Sequence, residues 1–349
     1  MQTREQPTNR RSRKAAKRRR RIIIRVSILL LLLIALGFGV YKGLGALVPA
    51  LSDAIFSDKP RQEEPAPPQE AVLSSSFSPD QLSSPYMCLV DLYDHQILAE
   101  HNSQTRVSPA SLTKIMTALV AIEHLEDLQK PLTVPQSIFS YLYASHASVA
   151  GFSPNEQLPA IDVLYGCALP SGADASLTLA VSIAGSEAGY VELMNQKAQE
   201  LGLSDTHFQN VSGLYAPDHY STARDMALLF ETALENETFR EIFSAASYTT
   251  TPTSFHPEGL TFRSTMFGRM SSPYFKDGQI LGGKTGYISD AGMCLASYAI
   301  RKERPFLLIT MGADGDPYGD PLHLWDAFTV YDSLIDAPKQ EGSDKENAS

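Results

Sequence analysis

An unbroken apolar stretch near the N-terminus constrains this chain more than any other feature. Residues 22–41 contain a single charged side chain, Arg25, and are otherwise apolar or small. At about 1.5 Å per residue, a helix of this length crosses the hydrocarbon core of a bilayer. The Arg25 side chain is long enough to reach the headgroups. We therefore predict a transmembrane anchor over residues 22–41.

The charge on either side of this stretch predicts the orientation of the anchor. The first 25 residues hold eleven Lys and Arg and one acidic residue, whereas the rest of the chain holds 18 Lys and Arg against 38 Asp and Glu. A basic tail alone would also suit nucleic acid, but this tail runs directly into the apolar stretch, so we expect no nucleic-acid partner. The positive-inside rule places residues 1–21 in the cytoplasm and everything after the anchor outside. The alternative is a signal peptide that is cut near Val48-Pro49-Ala50.

The composition after the anchor predicts a tether, one domain and a tail. Residues 42–84 are predicted to be an extended linker, because residues 57–84 are rich in Pro, Glu, Gln and Ser and contain too little apolar surface to fold alone. Residues 85–337 are enough for one sizeable globular domain. Residues 338–349 are polar and are expected to be a disordered tail.

The pattern of apolar residues within 85–337 predicts an α+β fold. Short apolar runs at 86–92 and 96–101 predict one hairpin, the runs at 292–300 and 305–313 predict another, and residues 279–285 predict a strand just before it. Helical periodicity lies between these strands, at residues 111–126, 161–169, 174–185, 189–201 and 222–234. Strands at both ends with helices between them indicate an α/β sandwich, in which an antiparallel sheet is covered by helices and accompanied by a mostly helical lobe.

The cysteines and histidines indicate neither a disulfide framework nor a metal site. Cys88, Cys167 and Cys294 are odd in number and each lies in an apolar run, so we expect small buried core residues. The histidines lack metal-ligand spacing, and we predict no metal and no cofactor. For His219 and Tyr220, which precede the last predicted helix, we expect a structural or surface role.

The segment from Ser108 to Lys114, "SPASLTK", places a serine and a lysine three residues apart at the start of an apolar helix. Ser108 is a good N-cap and Pro109 a good first helical residue, which puts Ser111 in the first turn with an unpaired backbone N–H. Lys114 lies one turn later on the same side. Apolar neighbours lower the pKa of such an amine, and a neutral amine can take the proton of a serine hydroxyl and make it a nucleophile.

Two further segments complete a set of motifs that act together in acyl transfer. "LPSGADAS" supplies Ser171 between two predicted helices, and "LGGKTGY" supplies Lys284 on a predicted strand. Lys284 would bring a second positive charge and Thr285 a hydroxyl for a carboxylate. Gly286 would leave room for a substrate backbone, and the N–H of Tyr287 would bind an oxyanion together with that of Ser111. These seven residue positions are the predicted site.

On these motifs the sequence resembles the low-molecular-weight penicillin-binding proteins, the serine-type D-alanyl-D-alanine carboxypeptidases. The resemblance runs from about Tyr86 to Ile335 and includes the segments "LYGCALPSGADAS", "FQNVSGL" and "HYSTARDMALL". It implies a β-lactamase-like fold, with Ser111 as the acylated nucleophile, Lys114 as its base, Ser171 as a proton relay and Lys284 and Thr285 as substrate contacts.

The same resemblance implies the reaction, the partners and the location. The expected substrate is a peptidoglycan stem peptide ending in D-Ala-D-Ala, from which the terminal D-alanine is removed through an acyl-enzyme. Penicillins and other β-lactams are expected to acylate the same serine. The enzyme would be a single-pass protein of the bacterial cell membrane, held in the lipid bilayer by its N-terminal helix, with the catalytic domain on the cell-wall side.

The sequence departs from the family pattern in two places. Ala173 stands where the family usually has an asparagine, and Asp174 beside it is expected to have a structural role at the start of a helix. The segment after the last predicted strand, "GADGDPYGDPLHLWDAF", has no Lys or Arg where relatives often carry an arginine for the substrate carboxylate. The alternatives that stay open are a β-lactamase-like hydrolase, a DD-endopeptidase and an inactive wall-binding scaffold.

Overall fold

A computed structural model of the chain describes residues 68–338. The predicted cytoplasmic tail, the transmembrane anchor, most of the predicted linker and nearly all of the C-terminal tail lie outside the described residues. None of the helices within residues 68–338 combines the length and the apolar character that a membrane span requires.

A six-stranded antiparallel sheet forms the centre of the described region. Its strands are β2 (Tyr86–Asp91), β3 (Gln96–His101), β8 (Tyr274–Phe275), β9 (Gly278–Ile288), β10 (Gly292–Arg301) and β11 (Arg304–Ala313). Their order in the sheet is β3-β2-β11-β10-β9-β8, so the N-terminal hairpin lies beside strands from the C-terminal part of the domain. Three two-stranded sheets accompany it and pair β1 (Ala71–Leu73) with β12 (Leu334–Asp336), β4 (Pro131–Thr133) with β5 (Gln157–Pro159), and β6 (Ser247–Thr249) with β7 (Thr261–Arg263).

The central strands β10 and β11 are apolar along nearly their whole length because both faces of the sheet are covered. A two-residue turn joins them, in which Lys302 and Glu303 both adopt positive φ, of 46° and 70°. Such a turn matches the right-handed twist of the flanking strands. Their pairing continues across the sheet, with Tyr287 opposite Met293 and Met293 opposite Ala313.

Helices cover both faces of the sheet, which separates two apolar cores. The helices are α1 (Thr113–His124), α2 (Phe139–Ser145), α3 (Ala160–Ala168), α4 (Ala173–Ala184), α5 (Glu187–Glu200), α6 (Ala223–Glu235), α7 (Glu237–Ser244) and α8 (Leu322–Asp332). On one face, α1 and α6 lie in the larger core with the other helices of the helical lobe, whereas α8 packs against β10 and β11 on the opposite face.

The α+β class and the antiparallel sheet covered by helices are confirmed. The predicted hairpins, strand and five helices appear within a few residues of their expected bounds, because each carries a clear apolar period. The short helices α2 and α7 were not predicted from the sequence. Helices of seven or eight residues contain too few turns for a period to be distinct.

The boundary of the folded domain lies before residue 84, which corrects the predicted linker. Strand β1 pairs with β12 through Ala71 and Asp336, and the N–H groups of Ser83 and Ser84 each donate to the buried carboxylate of Asp326 at 2.8 Å. The polar composition was misleading here because these backbone donors are satisfied by a carboxylate more than 240 positions away.

We expect a fragment spanning residues 68–338 to be more stable than one spanning 85–338. The shorter fragment loses strand β1 and the two donors to Asp326, and leaving that carboxylate without partners costs on the order of 3 kcal/mol. Urea unfolding of both fragments measures the difference. In the longer fragment Asp326→Ala, which removes the same hydrogen bonds without shortening the chain, should reproduce part of the loss; equal stabilities would contradict the revised boundary.

Candidate active site

Ser111 lies in a single 3-10 turn, Ala110–Leu112, that leads into helix α1. The predicted N-cap at Ser108 is wrong, because the residue before the turn is Pro109 and no side chain caps it. Ala110 has a positive φ of 45°, which interrupts helical geometry directly before Ser111. The turn contacts strand β9, so the sequence motif around Ser111 faces the segment that contains Lys284.

The Lys114 amine contacts the Ser111 hydroxyl from the first turn of α1. Lys114 Nζ donates to Ser111 Oγ at 3.2 Å and to the backbone carbonyl of Ser212 at 2.6 Å. The side chain is almost fully removed from solvent, with 2% exposure. A buried amine with two acceptors is held in one direction, and that direction faces the serine hydroxyl.

The Ser212 carbonyl belongs to a turn that the Asn210 side chain organises. Asn210 Oδ1 accepts from the N–H groups of Ser212, Gly213 and Leu214, at 3.1, 2.7 and 3.2 Å. Its Nδ2 donates to the Leu214 carbonyl at 2.9 Å. This turn, residues 210–214, therefore presents a fixed backbone acceptor to Lys114.

A second lysine–serine pair lies in the same buried region. Lys284 Nζ donates to Ser171 Oγ at 2.9 Å and to the Thr285 carbonyl at 2.8 Å, and the Lys284 side chain is 1% exposed. Ser171 adopts a positive φ of 63° between α3 and α4, and Lys284 is on β9. The predicted residues thus form two lysine–serine contacts of the same kind, Lys114 with Ser111 and Lys284 with Ser171.

Burial lowers the pKa of both amines. The pKa of Lys114 falls from 10.5 to about 8, although the negative charge of Asp174 opposes the change. The pKa of Lys284 is lowered well below its usual value, first by burial and then by repulsion from Lys114. We expected a neutral Lys114 beside a charged Lys284, but burial and repulsion from Lys114 lower the pKa of Lys284 as well. The two amines titrate as a coupled pair.

The remaining predicted residues lie along β9. Thr285 Oγ1 is 2.6 Å from Thr265 Oγ1, a partner that the sequence did not reveal. A Cβ atom at Gly286 would come within 3.0 Å of the Ser111 nitrogen, so this close approach favours glycine. Tyr287 follows it and is exposed.

The segment that carries Ala173 is anchored by Asp174 rather than by residue 173. Ala173 is buried at the first position of α4. The buried Asp174 carboxylate accepts from three consecutive N–H groups, those of Ala150, Gly151 and Phe152, at 2.7, 3.0 and 3.2 Å. These contacts fix residues 150–152 against the turn that contains Ser171.

The loop after β11 receives an arginine from another part of the chain. Arg269, in the 3-10 turn Phe267–Arg269, donates to the carbonyls of Pro317 and Gly319. The loop itself has no Lys or Arg between β11 and α8, as the sequence indicated. A cation from a distant segment has no signature within the loop, so only the structure reveals it.

Comparisons with known proteins support this assembly. A family model described as D-alanyl-D-alanine carboxypeptidase matches residues 74–315. The chain is 32% identical over 225 residues to the D-alanyl-D-alanine carboxypeptidase DacF of Bacillus subtilis, covering 64% of this chain and 56% of DacF. It is also 32% identical to DacC of Escherichia coli, of which it likewise spans 56%. The chain therefore spans little more than half the length of these relatives.

Solved structures show the same fold. The crystal structure of the Streptomyces K15 DD-transpeptidase matches with a TM-score of 0.64 and 26% identity, covering 72% of this chain and 97% of that one. The D-alanyl-D-alanine carboxypeptidase of Mycobacterium tuberculosis H37Rv matches with a TM-score of 0.63 and 27% identity, covering 75% and 94%.

The lowered pKa of Lys114 predicts a pH-dependent stability. Between about pH 8 and 10.5 the unfolded chain keeps a proton on Lys114 that the folded protein has lost, so the free energy of unfolding rises with pH. Relative to Lys114→Met, the unsubstituted protein should gain about 3 kcal/mol across this window. Urea unfolding at closely spaced pH values measures the gain, and parallel pH profiles for the two proteins would contradict it.

Proposed function

The chain belongs to the D-alanyl-D-alanine carboxypeptidase family, and on this premise we propose that it removes the terminal D-alanine from peptidoglycan stem peptides through a serine acyl-enzyme. The observation that carries the proposal is the meeting of two buried lysine–serine pairs, Lys114 with Ser111 and Lys284 with Ser171. A buried amine beside a hydroxyl is the arrangement that activates serine without a histidine.

In the proposed acylation, Ser111 Oγ attacks the carbonyl carbon of the penultimate D-alanine. Lys114 Nζ takes the proton from Ser111 Oγ at the distance that already joins them, 3.2 Å. The carbonyl oxygen becomes an oxyanion, which the N–H groups of Ser111 and Tyr287 would receive. The close approach of Gly286 to the Ser111 nitrogen supports a common position for the two donors.

In the proposed collapse of this intermediate, the peptide C–N bond breaks and the terminal D-alanine leaves. Its amine needs a proton, and Ser171 Oγ would pass one on while Lys284 replenishes it across their 2.9 Å contact. Water then attacks the ester carbonyl and would give its proton to the now neutral Lys284. The Lys114 ammonium would return its proton to Ser111 Oγ as the ester bond breaks and the shortened peptide leaves as a carboxylate. Thr285 and Lys284 would contact the substrate carboxylate.

The reacting state has one proton in the lysine pair, on Lys284. Repulsion between two buried ammonium groups opposes double protonation. Asp174 raises the pKa of Lys114 and repulsion from Lys114 lowers that of Lys284, so these charges favour a single proton on Lys114, and the reacting form with its proton on Lys284 is the less populated one. Only the fraction with a neutral Lys114 can accept the Ser111 proton, and acylation should therefore slow as the pH falls below about 8.

The proposed location is the bacterial cell membrane, with the catalytic domain on the cell-wall side and residues 22–41 as the anchor in the lipid bilayer. The apolar run and the basic residues before it support this location. The stem peptides would reach the enzyme on that side, as would β-lactam antibiotics that acylate Ser111 as covalent inhibitors.

The comparisons do not favour the β-lactamase-like, endopeptidase or scaffold alternatives, since the matching family and the matching relatives carry the carboxypeptidase description. A penicilloyl adduct that persists on Ser111 also separates this proposal from a β-lactamase, which would hydrolyse the adduct quickly.

We expect Ser111→Ala to abolish both covalent labelling by a fluorescent penicillin and release of D-alanine from a pentapeptide ending in D-Ala-D-Ala. Loss of the nucleophile should lower each rate by at least about a thousandfold. Gel fluorescence and a D-alanine assay measure the two reactions. Ser289→Ala, which removes an exposed hydroxyl two residues after Tyr287, is the matched control and should react normally. Labelling of Ser111→Ala would end the serine mechanism.

We expect the full-length chain to sediment with membranes and to require detergent for release, whereas a chain lacking residues 1–41 stays in the soluble fraction. Fractionation followed by penicillin labelling measures both forms. Cleavage of the full-length chain near residue 50, detected by mass spectrometry of the mature N-terminus, would instead identify a signal peptide.

A further inference from the structure

His219 forms a buried connection to the nucleophile segment that the proposed chemistry does not use. Its side chain is 3% exposed and lies just before α6, with its ring against the edge of Phe208 at a centroid distance of 5.7 Å. The ring joins two other segments: its Nδ1 is 3.0 Å from the Gln209 nitrogen, and its Nε2 is 2.8 Å from Thr113 Oγ1.

The hydrogen-bond partners fix the direction of each proton. The Gln209 backbone N–H can only donate, so His219 Nδ1 accepts and the ring proton sits on Nε2. Nε2–H therefore donates to Thr113 Oγ1. The Thr113 hydroxyl in turn donates to the Ala110 carbonyl at 2.8 Å. Both side chains are neutral and, with the two backbone groups, form one hydrogen-bonded chain that ends on the peptide bond preceding Ser111.

Ala110 needs support because its backbone is strained. A positive φ costs an alanine about 1 kcal/mol or more. Its carbonyl also lies against Gly213, where a Cβ atom would come within 1.8 Å of the Ala110 oxygen. The carbonyl is thus held between the Thr113 hydroxyl and the Gly213 backbone, and its orientation sets that of the Ser111 N–H in the same peptide plane.

The hydrogen bond between His219 and Gln209 also links His219 to the turn that holds Lys114, the proposed base. Gln209 immediately precedes the turn of residues 210–214, whose Ser212 carbonyl accepts from Lys114. Burial lowers the pKa of His219 to about 4. Among the described residues, the titratable groups that act on it are His207 and Lys114, and both also oppose its protonation. Above that pH the ring keeps the neutral form that this chain of donors requires.

We propose that His219 is a positioning residue for acylation, which acts through Thr113 and the Ala110 carbonyl to hold the Ser111 N–H and hydroxyl in register with Lys114. The inference rests on the proposed function, because its effect is measured on the acylation of Ser111. It assigns His219 no contact with the substrate and no proton transfer.

Two amide substitutions test the two ring nitrogens of His219 separately. Glutamine can keep an N–H donor near the position of Nε2, toward Thr113, whereas asparagine can keep an acceptor near Nδ1, toward Gln209. We therefore expect acylation to be preserved within about threefold in His219→Gln and to fall about tenfold in His219→Asn and His219→Leu. Thr113→Val should fall as far as His219→Leu, and the double variant should fall no further, since the two residues act through one path.

The test uses the full-length chain in detergent. The second-order rate constant of labelling by a fluorescent penicillin is measured per acylatable site, which is counted by labelling to saturation, and thermal unfolding is recorded separately. The matched control is His323→Leu, because His323 is equally buried at 3% exposure but lies in α8 on the other face of the sheet. This control should keep its rate per site, whatever its effect on thermal unfolding.

The outcomes separate the inference from the proposed function. Loss of stability in His219→Leu with an unchanged rate per site would overturn the positioning role, as would a His219→Gln rate no better than that of His219→Leu. Additive losses in the double variant would also overturn it, because they would mean two independent paths. Failure of the unsubstituted chain to label would overturn the proposed function and this inference together.

Discussion

Two lysine amines buried in one cleft are the constraint on which the rest of this structure depends. Each amine would be costly to bury as an ammonium without partners, and the chain gives each one a serine hydroxyl and a backbone carbonyl as acceptors. The hydroxyls are the groups that we propose react. The carbonyls are what fix the amines in direction, and they come from a turn and from a strand. The first pair lies within the Ser111 turn and helix α1, whereas the second joins Ser171 in the helical lobe to Lys284 on the six-stranded sheet, so the sheet and the lobe must meet along this cleft.

Bringing these segments together requires backbone conformations that residues other than glycine rarely adopt. Ala110 and Ser171 both adopt positive φ, of 45° and 63°, directly before and at reactive positions. Strain of this kind persists only where the surroundings hold it. Gly213 and Gly286 provide the surroundings, since any Cβ atom there would press on the Ser111 segment. The site is thus a property of close backbone packing as much as of the reactive side chains.

The sequence predicted the side chains that meet at this site but not the backbone carbonyls that hold its two amines. The spacing of Ser111 and Lys114 is readable because residues three apart share a helix face, and the apolar periods predicted the sheet and five of the helices. The Ser212 carbonyl has no side-chain signature, so no spacing rule could have found it. Thr265, Arg269 and Asp326 act on segments far from their own in sequence. The predicted linker boundary at residue 84 was wrong for the same reason, since the N–H groups of Ser83 and Ser84 are hydrogen-bonded by Asp326, far away in sequence.

The substitution at Ala173 can be located within this arrangement. In the family pattern an asparagine at that position contacts both the lysine and the substrate backbone. Here Lys114 has its two acceptors in Ser111 Oγ and the Ser212 carbonyl, and the Ser171 turn is anchored by Asp174 through three backbone N–H groups. Neither support involves the side chain of residue 173. The absence of an amide therefore leaves the proposed base, Lys114, and the proposed relay, Ser171, in place, and we expect it to weaken only the contact with the substrate backbone. Acylation by a small, rigid β-lactam should suffer less from that loss than acylation by a flexible peptide, because the peptide relies on more contacts to hold its carbonyl over Ser111.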